Sequence, residues 1–215
     1  KVEPENLLKN GSFDTAADNL PKEWENAFSV TFANITNVYD NSCNVVSTQE
    51  TTKLQSQTVD VDGGKNFTFS LYAKNNANES KETKETDKLY LKIIAVDENE
   101  KETSEAIQIV PTKEFEQYSV SVSTKTETDY VIVEFGLNEN TGNFLVNNAQ
   151  LERGNGTAEF NYVENGAFRY VTDTAPYNWS ESTIATQTLN EESVNAVVLN
   201  GGLPYYEQSG ETYTL

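Results

Sequence analysis

Phe67-Thr68-Phe69-Ser70-Leu71-Tyr72-Ala73 alternates without a break. Side chains of a strand point to opposite faces in turn. Phe67, Phe69, Leu71 and Ala73 therefore share one face, and Thr68, Ser70 and Tyr72 share the other. Asp62-Gly63-Gly64 just before this strand is a turn, because glycine takes positive φ at no steric cost. Asp60-x-Asp62-Gly63 has the look of a calcium loop but lacks the downstream glutamate spacing of an EF-hand, so it reads as a hairpin turn. Lys74 to Lys88 then holds Asn, Glu, Lys, Thr and Ser with no large apolar residue, the composition of a solvated loop.

The same chemistry recurs on both sides. Ala27–Ala33, Asn44–Thr48, Leu54–Val61, Leu89–Val96, Ala106–Val110, Tyr118–Val122, Tyr130–Leu137 and Asn143–Leu151 are rich in β-branched and aromatic residues and are separated by turn signals. No stretch has convincing helical periodicity. Many short strands at this spacing predict an all-β sandwich.

The chain also repeats itself. Asn10-Gly11-Ser12-Phe13, followed by Pro21 and Trp24, returns as Asn165-Gly166-Ala167-Phe168, followed by Pro176 and Trp179, each at an offset of 155 (165 − 10, 179 − 24). Gly64 to Phe69 returns as Gly210 to Leu215 at an offset of 146 (210 − 64). A fixed period marks an array of modules. Residues 1–156 are expected to form one complete module and residues 157–215 the opening of a second, with Arg153-Gly154-Asn155-Gly156 as the linker.

Composition excludes several classes of function. A net charge of −19 opposes binding to nucleic acid or to an anionic membrane surface. No run of about 20 apolar residues offers a bilayer span. The absence of histidine removes the usual general base and the Ser-His-Asp triad. Cys43 is the single cysteine and cannot form an internal disulfide; beside Val45 and Val46 it reads as a small buried hydrophobe.

Asn6 to Asp14 with the following Pro-x-x-Trp, Gly64 to Lys74, and Phe144 to Glu152 resemble carbohydrate-binding modules of the family 4/9 type, which are galactose-binding-like β jelly rolls. The run from Gln150-Leu151-Glu152-Arg153-Gly154 into Tyr162 and Asn165-Gly166 is similar to junctions in large surface proteins of Gram-positive bacteria and their phages, where such modules stand in tandem. The resemblance implies a secreted or cell-surface bacterial protein whose partners are an oligo- or polysaccharide and neighbouring modules of a longer chain. It also implies a structural calcium ion, with Asp14 in the first ligand position and Asn147 and Asn148 where acidic residues usually stand. Neutral amide oxygens there weaken a hard-cation site, and Arg169 in the Asp14 position of the second copy opposes one.

Such modules lay aromatic rings against sugar faces. Trp24 recurs at Trp179 and belongs to the framework, so it is expected in or at the edge of the core. Tyr72 and Tyr90 each oppose an apolar row and are the expected ligand-binding rings, with Glu134, the acid embedded in Tyr130-Val131-Ile132-Val133-Glu134-Phe135, as a groove-lining carboxylate. The expected function is non-catalytic, lectin-like carbohydrate binding. The alternative is a structural or adhesive spacer that binds protein or nothing. The incomplete second copy leaves strand edges open to pairing with another chain.

Overall fold

The computed structural model describes residues 5–14, 21–36, 42–76, 87–138, 142–161, 169–171, 175, 183–189, 192–198, 206–208 and 211–213, with side chains described at 5–14, 21–25, 53–76, 87–138, 142–161, 169–171 and 175. Cys43 falls outside the described side chains, and Asn165 to Phe168, Pro176 and Trp179 fall outside the described residues. Two compact units divide the chain, Lys1–Phe160 and Asn161–Leu215.

The first unit contains β1 (Trp24–Thr36), β2 (Ser42–Ser56), β3 (Val59–Asp60), β4 (Asn66–Asn75), β5 (Leu89–Asp97), β6 (Glu102–Ile109), β7 (Glu116–Ser123), β8 (Thr128–Leu137) and β9 (Asn143–Arg153). They hydrogen-bond in the order β6-β5-β8-β2-β9-β4-β7, with β1 on β2 and β3 on β8. The long strand β2 is the fold line. Its Val46–Gln49 stretch pairs with β9, and its Thr52–Gln55 stretch pairs with β8. The wings β6-β5-β8 and β7-β4-β9 consequently face each other.

Between the wings lies one core. Leu89, Leu91, Ile93 and Ala95 of β5 and Val131, Val133, Phe135 and Leu137 of β8 meet Phe67, Phe69, Leu71 and Ala73 of β4. Each large apolar side chain buried here contributes about 1.5–3 kcal/mol relative to exposure, so period-2 alternation fixes both the strands and the face each turns inward.

Two connections differ from the sequence expectation. Residues 54–61 are not one strand: β2 ends at Ser56 and β3 begins at Val59. The turn at 62–65 is present, with Gly64 at φ 73°, but it joins no hairpin. It carries the chain from β3, paired with β8, across to β4, paired with β7 and β9. Local turn chemistry is the same in both cases, and the partner of each flanking strand decides which one forms.

The N-terminal motif is a latch on β9. Asn6 donates through Nδ2 to the Ala149 carbonyl at 3.0 Å, and its Oδ1 accepts from the Leu8 and Leu151 N–H groups, each at 3.0 Å. Gly11 accepts from the Ala149 N–H at 2.9 Å. A Cβ at Gly11 would lie 2.1 Å from the Ala149 oxygen, so the close approach requires glycine. Opposite the latch, β9 is bulged: its register on β4 shifts between Ser70 and Tyr72, and Asn148 has φ 50°.

Asn10, also at positive φ, ties the following loop. Its Nδ2 donates to the Asp14 and Lys22 carbonyls at 2.9 and 2.8 Å, its Oδ1 accepts from the Asp14 N–H at 2.6 Å, and its carbonyl accepts from Trp24 Nε1 at 2.9 Å. Trp24 is buried against Phe13 and Phe135, with centroids 5.0 and 5.9 Å away. It is a core residue, as its place in the repeated motif predicted.

In the second unit, β10 (Thr183–Leu189) pairs with β11 (Glu192–Val198), and β12 (Tyr206–Gln208) pairs with β13 (Glu211–Tyr213), both antiparallel. Arg169 is exposed.

Candidate functional site

The outward face of the β5-β8-β2 wing carries the side chains that alternation excludes from the core. Across it, Lys92 of β5 stands opposite Glu134 of β8, and Glu134 stands opposite Gln55 of β2. Tyr90 and Ile94 lie on either side of Lys92 along β5, and Ile132 precedes Glu134 on β8. Lys53 lies two residues before Gln55 on β2 and therefore shares its face.

Glu134 is 7% exposed. Tyr90 donates its hydroxyl to Oε1 at 2.8 Å, and Lys53 Nζ lies 2.8 Å from Oε2. A carboxylate removed from water needs such partners. Burial raises the Tyr90 pKa well above the ordinary tyrosine value, and the hydrogen bond to Glu134 and its charge push it the same way. The phenol thus stays a neutral donor with its ring fixed by the carboxylate. Glu25 of β1 is the next acid in this cross-strand row, opposite Gln55 and exposed, two strand spacings or roughly 10 Å from Glu134 along the sheet.

Tyr90 and Glu134 therefore come together, and Tyr72 does not join them. Tyr72 points outward on the other wing, opposite Gln117 and Asn147, and is 8% exposed. The segment after β9 lies over this wing. Gln117 Nε2 donates to the Ala158 carbonyl at 2.9 Å, and the Thr68 hydroxyl donates to the Gly154 carbonyl at 2.7 Å. Glu152, fully buried, accepts from the Ala158 N–H at 3.1 Å. The covering segment explains why Thr68, Ser70, Gln150 and Glu152 are buried although alternation turns them away from the core.

Asp14 is exposed on the loop that Asn10 holds, and Asn147 is fully buried on β9. Among the described residues, no group of three or more His, Cys, Asp or Glu side chains is arranged to hold a metal ion. Lys53 and Lys92 were not expected at the site. The alternation of β5 puts Lys92 beside Tyr90, but nothing in the sequence gives the register that sets either lysine next to Glu134.

No family model and no curated protein matches the chain. Among solved structures, the enzymatically active domain of tailspike protein 4 from bacteriophage CBA120 superposes with a TM-score of 0.50 at 17% identity, over 69% of this chain and 21% of that one. The fold is a jelly-roll β-sandwich. At such identity the likeness is one of fold. The jelly roll is also similar to the CBM22-1 xylan-binding domain of Paenibacillus barcinonensis Xyn10C (TM-score 0.49, 13% identity, 73% of this chain and 99% of that one). TmCBM61, solved with β-1,4-galactotriose, gives a TM-score of 0.47 at 14% identity over 70% of this chain and 99% of that one. The chain spans 21% of the tailspike chain and 30% of a Clostridium thermocellum xylanase chain with CBM22-1 and GH10 modules.

Proposed function

We propose that this jelly roll is a non-catalytic carbohydrate-binding module of a larger extracellular bacterial protein, and that it holds a glycan on the outward face around Tyr90 and Glu134. The observation that carries this reading is the Tyr90–Glu134–Lys53 cluster. It sets a half-buried ring beside a fixed acceptor and a fixed donor, the combination that suits a ligand apolar on its faces and polar at its rim. Both oxygens of Glu134 are engaged, which favours a positioned acceptor over an acid or nucleophile. Glycoside hydrolysis needs a second carboxyl group held across the scissile bond, and Glu25 is exposed two strands away.

The proposed face takes Tyr90 and Glu134, and Tyr72 lies on the covered wing. A screen of the full chain against a glycan array tests the assignment. Tyr90→Ala and Glu134→Gln should each weaken the best glycan by about tenfold or more, whereas Tyr72→Phe should bind as the wild type does. Retention of binding in both face variants would move the site elsewhere.

One observation favours the spacer reading. Tyr90 and Tyr130, the tyrosines on this face among the described residues, lie at opposite ends of it, roughly 20 Å apart along the strands, and form no continuous platform. Silence across plant, host and cell-wall glycans would select that reading. A structural calcium belongs to the proposal as well. Asp14 would supply the charge and Asn147 an amide oxygen, a donor set that suits a weak site. A rise of the thermal midpoint in millimolar calcium, cancelled by chelator and by Asp14→Ala, checks it.

A further inference from the structure

Lys92 has a place on this face that the cluster does not use. It is half-buried, it stands directly across from Glu134, and its side chain has no hydrogen-bond or ion-pair partner among the described residues. The charge of Glu134 is taken by Lys53 at 2.8 Å. On the other side Lys92 is opposite Ala106 of β6, with Ser104 and Gln108 flanking it, and none of these is charged. Lys92 thus lacks a paired anion among the described residues, in a chain whose net charge is −19.

We propose that Lys92 selects a glycan bearing an isolated uronic acid among neutral sugars, its ammonium pairing with the sugar carboxylate. This rests on the assignment of the glycan face above. The ammonium of a half-buried lysine, whose charged cross-strand neighbour Glu134 is already paired with Lys53, gains from an anion that the ligand brings. The rest of the molecule sets the density of that charge. A field of −19 repels a polymer that is anionic at every unit, whereas a single carboxylate among neutral residues meets the local charge and escapes the global one. Tyr90 and Ile132, both half-buried and outward, lie near Lys92 to meet the neutral sugars.

Matched polymers test the idea on the full chain. Heteroglycans carrying glucuronic acid side groups, such as glucuronoxylan, gum arabic and xanthan, are each compared with a form whose carboxyl groups have been reduced to alcohols. The wild type should lose roughly three- to tenfold in affinity on carboxyl reduction. Lys92→Gln should show that same loss on the native polymer and no further loss on the reduced one. Added salt should weaken wild-type binding to the native polymer alone. Equal wild-type affinity for the native and reduced forms overturns the role of Lys92 and leaves the glycan face standing. Binding to none of the polymers overturns the uronic-acid proposal and leaves the glycan face to the array screen, and a Lys92→Gln chain that loses the native and reduced forms alike shows that Lys92 shapes the face without reading charge.

Discussion

Asn10 shows how one side chain turns a short motif into a fold determinant. It is 2% exposed, carries positive φ and bonds main-chain groups at Asp14 and Lys22 while its carbonyl receives Trp24. Asparagine tolerates the left-handed region better than most residues, and its amide offers a donor and an acceptor at once. Asn10→Ala leaves buried main-chain groups without their partner and strains φ, so it should cost about 2–3 kcal/mol, read from the midpoint of urea unfolding. Tyr90 makes a second prediction. Its folded pKa lies above the ordinary tyrosine value of 10.0, so the neutral phenol is the form the fold prefers. The stability this contributes is complete below the ordinary tyrosine pKa and is lost as pH rises above it. Tyr90→Phe should lose that alkaline component, and an ultraviolet titration of the folded variant should lack one late tyrosinate. The sequence shows that Tyr90 and Glu134 each face outward, but their hydrogen bond depends on the register of β5 on β8, which no local pattern encodes.

The strands were legible wherever one face is apolar. β4, β5 and β8 lie within two residues of their predicted limits because alternation over seven or more residues leaves no other period. β6 begins at Glu102, earlier than Ala106, because its first turnless stretch, Glu102 to Glu105, is exposed and has no hydrophobic signal. The outward side of β4 and β9 was illegible for the opposite reason. Its polar residues suggest solvent, yet the chain after β9 covers them. Glu152 carries the consequence. Burial raises its pKa above the ordinary glutamate value of 4.5, while the Ala158 N–H and the Gln150 side chain pull it partly back. The folded state therefore prefers the neutral acid, so Glu152 adds stability below pH 4.5 and loses it as pH rises through its folded pKa. Glu152→Gln keeps an acceptor for Ala158 without the charge. The variant should be the more stable protein at pH 7, and the difference should shrink to nothing in mildly acidic buffer, as measured by paired urea titrations.

For the whole molecule, class and order of strands followed from alternation and turns, but the crossing from β3 to β4 and the folding of the ribbon at β2 are long-range pairings that sequence does not announce. The two units also differ in what holds them. The described residues of Lys1–Phe160 form nine strands around one core that runs from Leu7 to Leu151, whereas the described strands of Asn161–Leu215 form two sheets of two strands each. A two-stranded hairpin by itself is marginal in water. In the first unit the β1-β2 pair is completed by β8 and β9, both of which pair with β2. We expect limited proteolysis of dilute protein to trim residues 161–215 first and to leave a stable product ending near Phe160. The Ala158 clasp protects that end, since the residues just before Phe160 are hydrogen-bonded to Glu152 and Gln117. A strictly monomeric chain in which residues 161–215 resist cleavage as long as the sandwich does would show instead that these strands find their partners within the same molecule.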